Sequence, residues 1–156
     1  MKKRALFGGL VFVGMLLASV VGVAQPQGWS RGGLGQNQIL RFQHFTAPYE
    51  GWYCVRVVQE DGRIRGWRQH GGSRRHVISG SLGVLGLGQL TAGLAVIPPG
   101  PRPPPETAPG HTRMRMVFRT PAGTQRREYA GAIPGPVRSV VNLVESALGA
   151  DAACRL

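Results

Sequence analysis

The chain has 156 residues, 19 Lys and Arg against 7 Asp and Glu, and a formal net charge of +12. That length suits one domain large enough to bury a core, and so basic a surface points to polyanions such as nucleic acid, anionic lipid or acidic glycans. Two cysteines do not make a metal site, which needs three or four ligands, and neither has a His or carboxylate at ligand spacing.

Lys2, Lys3 and Arg4 precede an uncharged run from Ala5 to Val21 that closes on Gly22, Val23 and Ala24. This is the pattern of a secretory signal peptide over residues 1 to 24, with cleavage before Gln25. An uncleaved anchor needs about 20 apolar residues, whereas this run has 17 with three glycines. No cysteine follows the cleavage site, which argues against a lipid anchor. The expected product is secreted or periplasmic, with no membrane span after cleavage and a formal charge of +9 once those three cations are gone. Its remaining cations are all arginines. A GC-rich genome explains the choice of arginine over lysine but not the positive excess. In an oxidising compartment the default for Cys54 and Cys154 is a disulfide. Closing so long a loop stabilises by at most about 4–5 kcal/mol on chain entropy.

Residues 25 to 37 are glycine-rich and read as a flexible leader, and 38 to 156 as a single domain. Ile39 to Thr46 alternates, with Leu40 and Phe42 on one face and Arg41 and Gln43 on the other. Trp52 to Glu60 and Arg63 to His70 flank Asp61-Gly62, a hairpin signal. A two-residue turn there sets Val58 opposite Arg65 and Cys54 opposite Gln69. It gathers Tyr53, Val55, Val57 and Ile64 as the core face and leaves Cys54 off it, and is preferred for that reason to a three-residue turn with a bulge, which would flip one strand relative to the other.

Val77 to Ile97 carries no charge. Leu87, Leu90, Leu94 and Ile97 fit one helix face with Ser79 or Ser81 as N-cap, against the cost of several glycines. Its polar residues and glycines oppose a membrane span. Residues 98 to 110, with seven prolines, form an extended connecting loop. Arg113 to Thr120 alternates, Met114, Met116 and Phe118 inward, and forms a second hairpin with Gln125 to Ala130. A helix follows from Pro136 to Leu148, stopped by Gly149. It buries Val137, Val140, Val141, Val144 and Leu148, with Arg138, Asn142 and Glu145 facing water.

These elements make an α+β fold: a small antiparallel sheet of two hairpins plus an N-terminal strand, packed against two helices. In its order and short motifs the chain resembles the emfourin-like small proteins, inhibitors of thermolysin-type metalloproteases, and their uncharacterised relatives. The residues that carry the likeness are Ile39 to Phe45, Asp61-Gly62-Arg63, Leu82 to Leu94, the strands around Met116 and Arg127, and Ile133-Pro134 before Val137 to Leu148. The resemblance implies a fold, and inhibition is one activity it would allow. The signal peptide, the cysteine pair and the proline-rich insertion depart from that pattern.

No convergent set of acids, bases or nucleophiles is readable. Glu50, Glu60, Asp61, Glu106, Glu128, Glu145 and Asp151 lie mostly beside turns, and His44, His70, His76 and His111 show no metal-protease spacing. The loop 71 to 75 between His70 and His76 is basic and could cradle an anion. The expectation is therefore a non-enzymatic binding domain without cofactor, metal or small-molecule substrate. Its partner is a protein, in a protease-inhibitor-like module, or else an envelope polyanion. The polyanion alternative uses Arg63, Arg65, Trp67, Arg74, Arg75, Arg113, Arg115, Arg119 and Arg127.

Overall fold

The computed structural model describes residues 33–46, 52–100, 112–150 and 154. The chain divides into two units, Met1–Gly32 and Gly33–Leu156, and every described residue belongs to the second. The signal peptide, most of the leader, residues 101–110 of the proline-rich loop and His111 lie outside the described residues.

Six strands form one layer and two helices the other. In chain order they are β1 (Gln38–Thr46), β2 (Trp52–Gln59), β3 (Arg63–His70), β4 (His76–Ser81), α1 (Val84–Ala95), β5 (Thr112–Thr120), β6 (Gly123–Ala130) and α2 (Gly135–Ser146). The sheet is antiparallel throughout, in the order β4-β3-β2-β1-β5-β6. The fold class is α+β. The N-terminal strand sits at the centre with a hairpin on either side, and β4 extends the β2–β3 hairpin by one strand. Periodicity alone merges part of that strand with the helix that follows it.

His76–Ser81 departs from expectation because its short, uncharged run continues into a helical stripe without a charged break. The helix begins only at Val84. Its N-cap is Gly83, whose backbone is extended and supplies no side-chain cap, so neither Ser79 nor Ser81 caps it. Within α1, Leu90 and Leu94 are buried, with Ile97 just beyond it, and Leu87 is packed against them in part. The α2 stripe is as the 3.6-residue period predicts, with Val137, Val140, Val141 and Val144 buried. Gly149 ends it at a φ of +82°. These residues close over Leu40, Phe42, Val58, Ile64, Met114, Met116 and Phe118, the helix-facing side chains of the sheet.

The β2–β3 hairpin corrects the expected register. Val58 pairs with Ile64, Arg56 with Gly66 and Cys54 with Arg68, so the loop has three residues, Glu60-Asp61-Gly62. Gly62 N–H donates to the Gln59 carbonyl at 3.0 Å, and Gly62 alone in the turn takes a positive φ, +83°. A Cβ there would lie 2.5 Å from the Leu82 carbonyl oxygen. One added residue reverses every side chain of one strand relative to the other. Tyr53, Val55 and Val57 therefore face away from the helices, and Cys54 faces them. The disulfide between Cys54 and Cys154 then forms on the helix side, and the C-terminal tail has no need to reach round the sheet.

Glu145 is a second correction. It is 7% exposed, and its carboxylate meets Arg56, which is 0% exposed, with Arg56 Nε 3.0 Å from Oε1 and Nη2 3.2 Å from Oε2. Cys154 N–H donates to Oε2 at 2.8 Å. Arg56 Nη1 also donates to the carbonyls of Val55 and Trp67, at 3.0 and 3.1 Å. Room for the arginine comes from its cross-strand partner: a Cβ on Gly66 would lie 2.2 Å from the Val55 oxygen and 2.9 Å from Arg56 Cδ. Helical spacing alone put Glu145 in water. Cys154, held by Cys54, instead meets that carboxylate.

Candidate anion-binding face

Both helices pack on one side of the sheet, so the other side carries no described element. By register it presents Arg41, Gln43 and Phe45 from β1, Tyr53, Val55 and Val57 from β2, and Arg63, Arg65 and Trp67 from β3. The far half adds Arg113, Arg115, Val117 and Arg119 from β5 with Arg126 and Glu128 from β6. Gln43, Phe45, Val55, Arg113 and Val117 are buried at its centre, while Arg65, Arg75 and Arg126 are exposed.

A file of stacked side chains crosses the middle of this face. Arg75, from the β3–β4 loop, places its guanidinium carbon 4.3 Å from the Trp67 ring centroid. Trp67 lies 4.7 Å from Tyr53, Tyr53 lies 6.4 Å from Phe45, and Arg115 stands 5.3 Å from Phe45. The sheet register produces this arrangement, because Phe45 and Tyr53 are direct cross-strand partners and Tyr53 is the diagonal neighbour of Trp67. A guanidinium laid over a ring directs its N–H donors along the ring plane, the geometry by which arginine reads phosphate or carboxylate; Arg115 Nε already meets Glu128 in this way. Burial raises the Tyr53 hydroxyl above its ordinary pKa and lowers that of Arg41.

Carboxylates trim this charge without cancelling it. Glu128 meets Arg115 Nε at 3.1 Å and Arg113 Nη1 at 3.5 Å, Glu60 pairs with Arg119, and Asp61 meets Arg63 at 2.6 Å. The Asp61 carboxyl is held below its usual range, first by the Arg63 backbone N–H it accepts. Arg65, Arg74 and Arg75 have no carboxylate within ion-pair distance among the described residues.

Of the nine residues singled out from sequence, Arg63, Arg65, Trp67, Arg113, Arg115 and Arg119 belong to this face, and Arg74 and Arg75 to the loop at its β3 end. Arg127 does not join them. It pairs with Met116 on the helix side of β6, where its guanidinium donates to the Arg126 carbonyl and to Gln125. Phe45, Tyr53, Arg41 and Arg126 were missed as parts of the site, since the two-residue register had turned Tyr53 into the core. The loop 71–75 is closed on itself: Ser73 N–H donates to the His70 carbonyl at 3.0 Å, and His70 N–H donates to Ser73 Oγ at 3.1 Å.

On the helix side, α1 and α2 border a shallow groove of about 470 Å³ lined by Gln89, Gly93, Ser139, Val140, Asn142, Leu143 and Ser146. Among the described residues no three His, Cys, Asp or Glu side chains converge. No described helix is long and apolar enough to cross a membrane. A scan against protein-family models finds no match, and neither does a search of the curated proteins.

Proposed function

We propose that this protein is an exported, non-enzymatic binding module whose sheet face opposite α1 and α2 holds an extended polyanion. The observation that carries the reading is the file Arg75–Trp67–Tyr53–Phe45–Arg115, cations stacked on aromatics across neighbouring strands. Arginine supplies a charge that follows a chain of anions, and the rings hold the guanidiniums in place. The export component rests on the Lys2 to Ala24 pattern, and a Cys54–Cys154 disulfide fits an oxidising compartment.

Binding to heparin and to single-stranded DNA, titrated against salt, tests the proposal. The expected result is affinity at low ionic strength that declines log-linearly as salt rises, and a clear loss in Arg65→Glu and Trp67→Ala. Absence of binding to either polyanion at low salt ends it.

A protein-binding role, including inhibition of a thermolysin-type protease, is a second reading. It is favoured by α1, which leaves Val84 and Leu85 89% and 85% exposed. A protease of that type that stays fully active under a large molar excess of this protein removes the inhibitor form of it.

A further inference from the structure

The two edges of the sheet are treated differently. At the β6 edge the chain itself lies close by: Tyr129 O–H donates to the Pro98 carbonyl at 2.9 Å, and a Cβ on Gly100 would lie 2.3 Å from the Glu128 oxygen. That strand also carries Arg126, Arg127 and Glu128, charges of the kind that discourage edge pairing. Among the described residues the β4 edge has neither guard. His76-Val77-Ile78-Ser79-Gly80-Ser81 contains no Lys, Arg, Asp, Glu or Pro. Three large exposed apolar side chains border it: Val77 at 78%, with Val84 and Leu85 three and four residues beyond its end.

The hydrogen-bond parity of β4 is fixed by its neighbour. Leu82 N–H donates to the Gly62 carbonyl at 2.9 Å, so the even residues exchange bonds with β3 and the odd ones point their N–H and C=O outward. Val77, Ser79 and Ser81 are thus an unpaired ladder in a single register. An antiparallel second copy centred on Ser79 sets Val77 opposite Ser81 and Ser79 opposite itself. Every outward group then meets an outward group, and no formally charged side chains of the two strands oppose each other.

We propose that β4 is a self-pairing edge through which two copies of this chain form a two-fold dimer with one continuous twelve-stranded sheet. The axis runs perpendicular to the sheet, so both helix layers lie on one side and both arginine faces on the other. The two Trp67–Arg75 pairs are then separated by three strand spacings across the sheet and four residues along it, about 20 Å in all, and a long polyanion can span both. The dimer itself does not depend on the polyanion reading.

The test is sedimentation equilibrium on the protein as the cell processes it, without polyanion, up to about 100 μM, since a short edge contact gives a weak dimer. Roughly 0.3 M salt brings the Debye length below 10 Å and screens the net positive charge. The dimer mass is expected, with the association constant weakened at least tenfold in Val77→Lys and in Ser79→Pro. Proline at Ser79 removes an outward N–H and no bond to β3. If Ser79→Pro does not fold, Val77→Lys decides alone. A monomer throughout that range, which would leave the edge to an extended segment of another protein, overturns the proposal. So does a dimer of undiminished strength in the folded variants.

Discussion

Arginine meets carboxylate on both sides of this sheet, and the two settings ask opposite things of the same chemistry. On the helix side Arg56 and Glu145 are shut away from water, with the Val55 and Trp67 carbonyls accepting from Arg56 and the Cys154 N–H donating to Glu145. On the other side Arg119 and Glu60 are 40% and 50% exposed. Taking a charge out of water costs several kcal/mol, recovered only by excellent geometry, so the buried pair is committed to structure. An exposed pair gains little and is readily exchanged, so its arginine remains available to an incoming anion. Burial, more than residue type, separates an arginine that holds the fold from one that can bind a ligand.

The buried side should break first. Glu145→Ala takes the carboxylate from beside the buried, charged Arg56, and a loss of about 3–5 kcal/mol in urea unfolding is expected. Replacing the pair together, Arg56→Met with Glu145→Leu, should recover most of it. A double variant as unstable as Glu145→Ala would mean that the arginine's bonds to the Val55 and Trp67 carbonyls matter more than the charge. Next comes the staple that holds Cys154 over Glu145. Cys54→Ala with Cys154→Ala should lower stability by about 2–5 kcal/mol, and less than additively with Glu145→Ala because the two share a tail.

A smaller effect is expected at His44, 3% exposed on the helix side beside Cys54 and Met114, with its Nε2 unpartnered. Burial lowers its pKa from 6.5. The folded state then binds fewer protons than the unfolded chain, so the contribution of His44 is complete above pH 6.5 and is lost as pH falls below it. The stability difference between the native protein and His44→Leu should shrink by up to about 1.4 kcal/mol per pH unit on that side. A difference that stays flat from pH 7.5 to 5 would show that His44 keeps its ordinary pKa.

How far the sequence reveals this division depends on parity. Leu40 and Phe42, Met114, Met116 and Phe118, and the valines of α2 were readable because each lies in an element whose period alone separates inside from outside. The β2–β3 hairpin was not, since Asp-Gly serves both a two-residue turn and a three-residue loop with glycine in the left-handed region. That choice decides whether Tyr53 joins the core or Trp67. The same error hid Glu145: with Cys54 on the wrong face, nothing brought the C-terminal tail or Arg56 to α2. β4 was lost to a run without charge, and Ile78 is the only buried residue of the strand. The arginines were visible as residues, but their assembly with Phe45 and Tyr53 needed the order β3-β2-β1-β5, which pairs strands distant in sequence.

The smallest stability effect belongs to the exposed pair, and it sharpens the contrast most. Glu60→Gln removes the carboxylate opposite Arg119 while keeping the side chain's size, and should change stability by no more than about 1 kcal/mol. The same substitution takes one negative charge from the rim of the arginine face and leaves Arg119 with its bond to the Gln36 carbonyl. If that face binds polyanions, heparin affinity should rise, and the slope of log affinity against log salt should steepen by about one counterion. Glu145→Gln removes an equal charge from the helix side and should leave that slope unchanged at temperatures where the variant is folded. Equal steepening in both would mean that binding responds to net charge alone, and the sheet face would lose its claim to be the site.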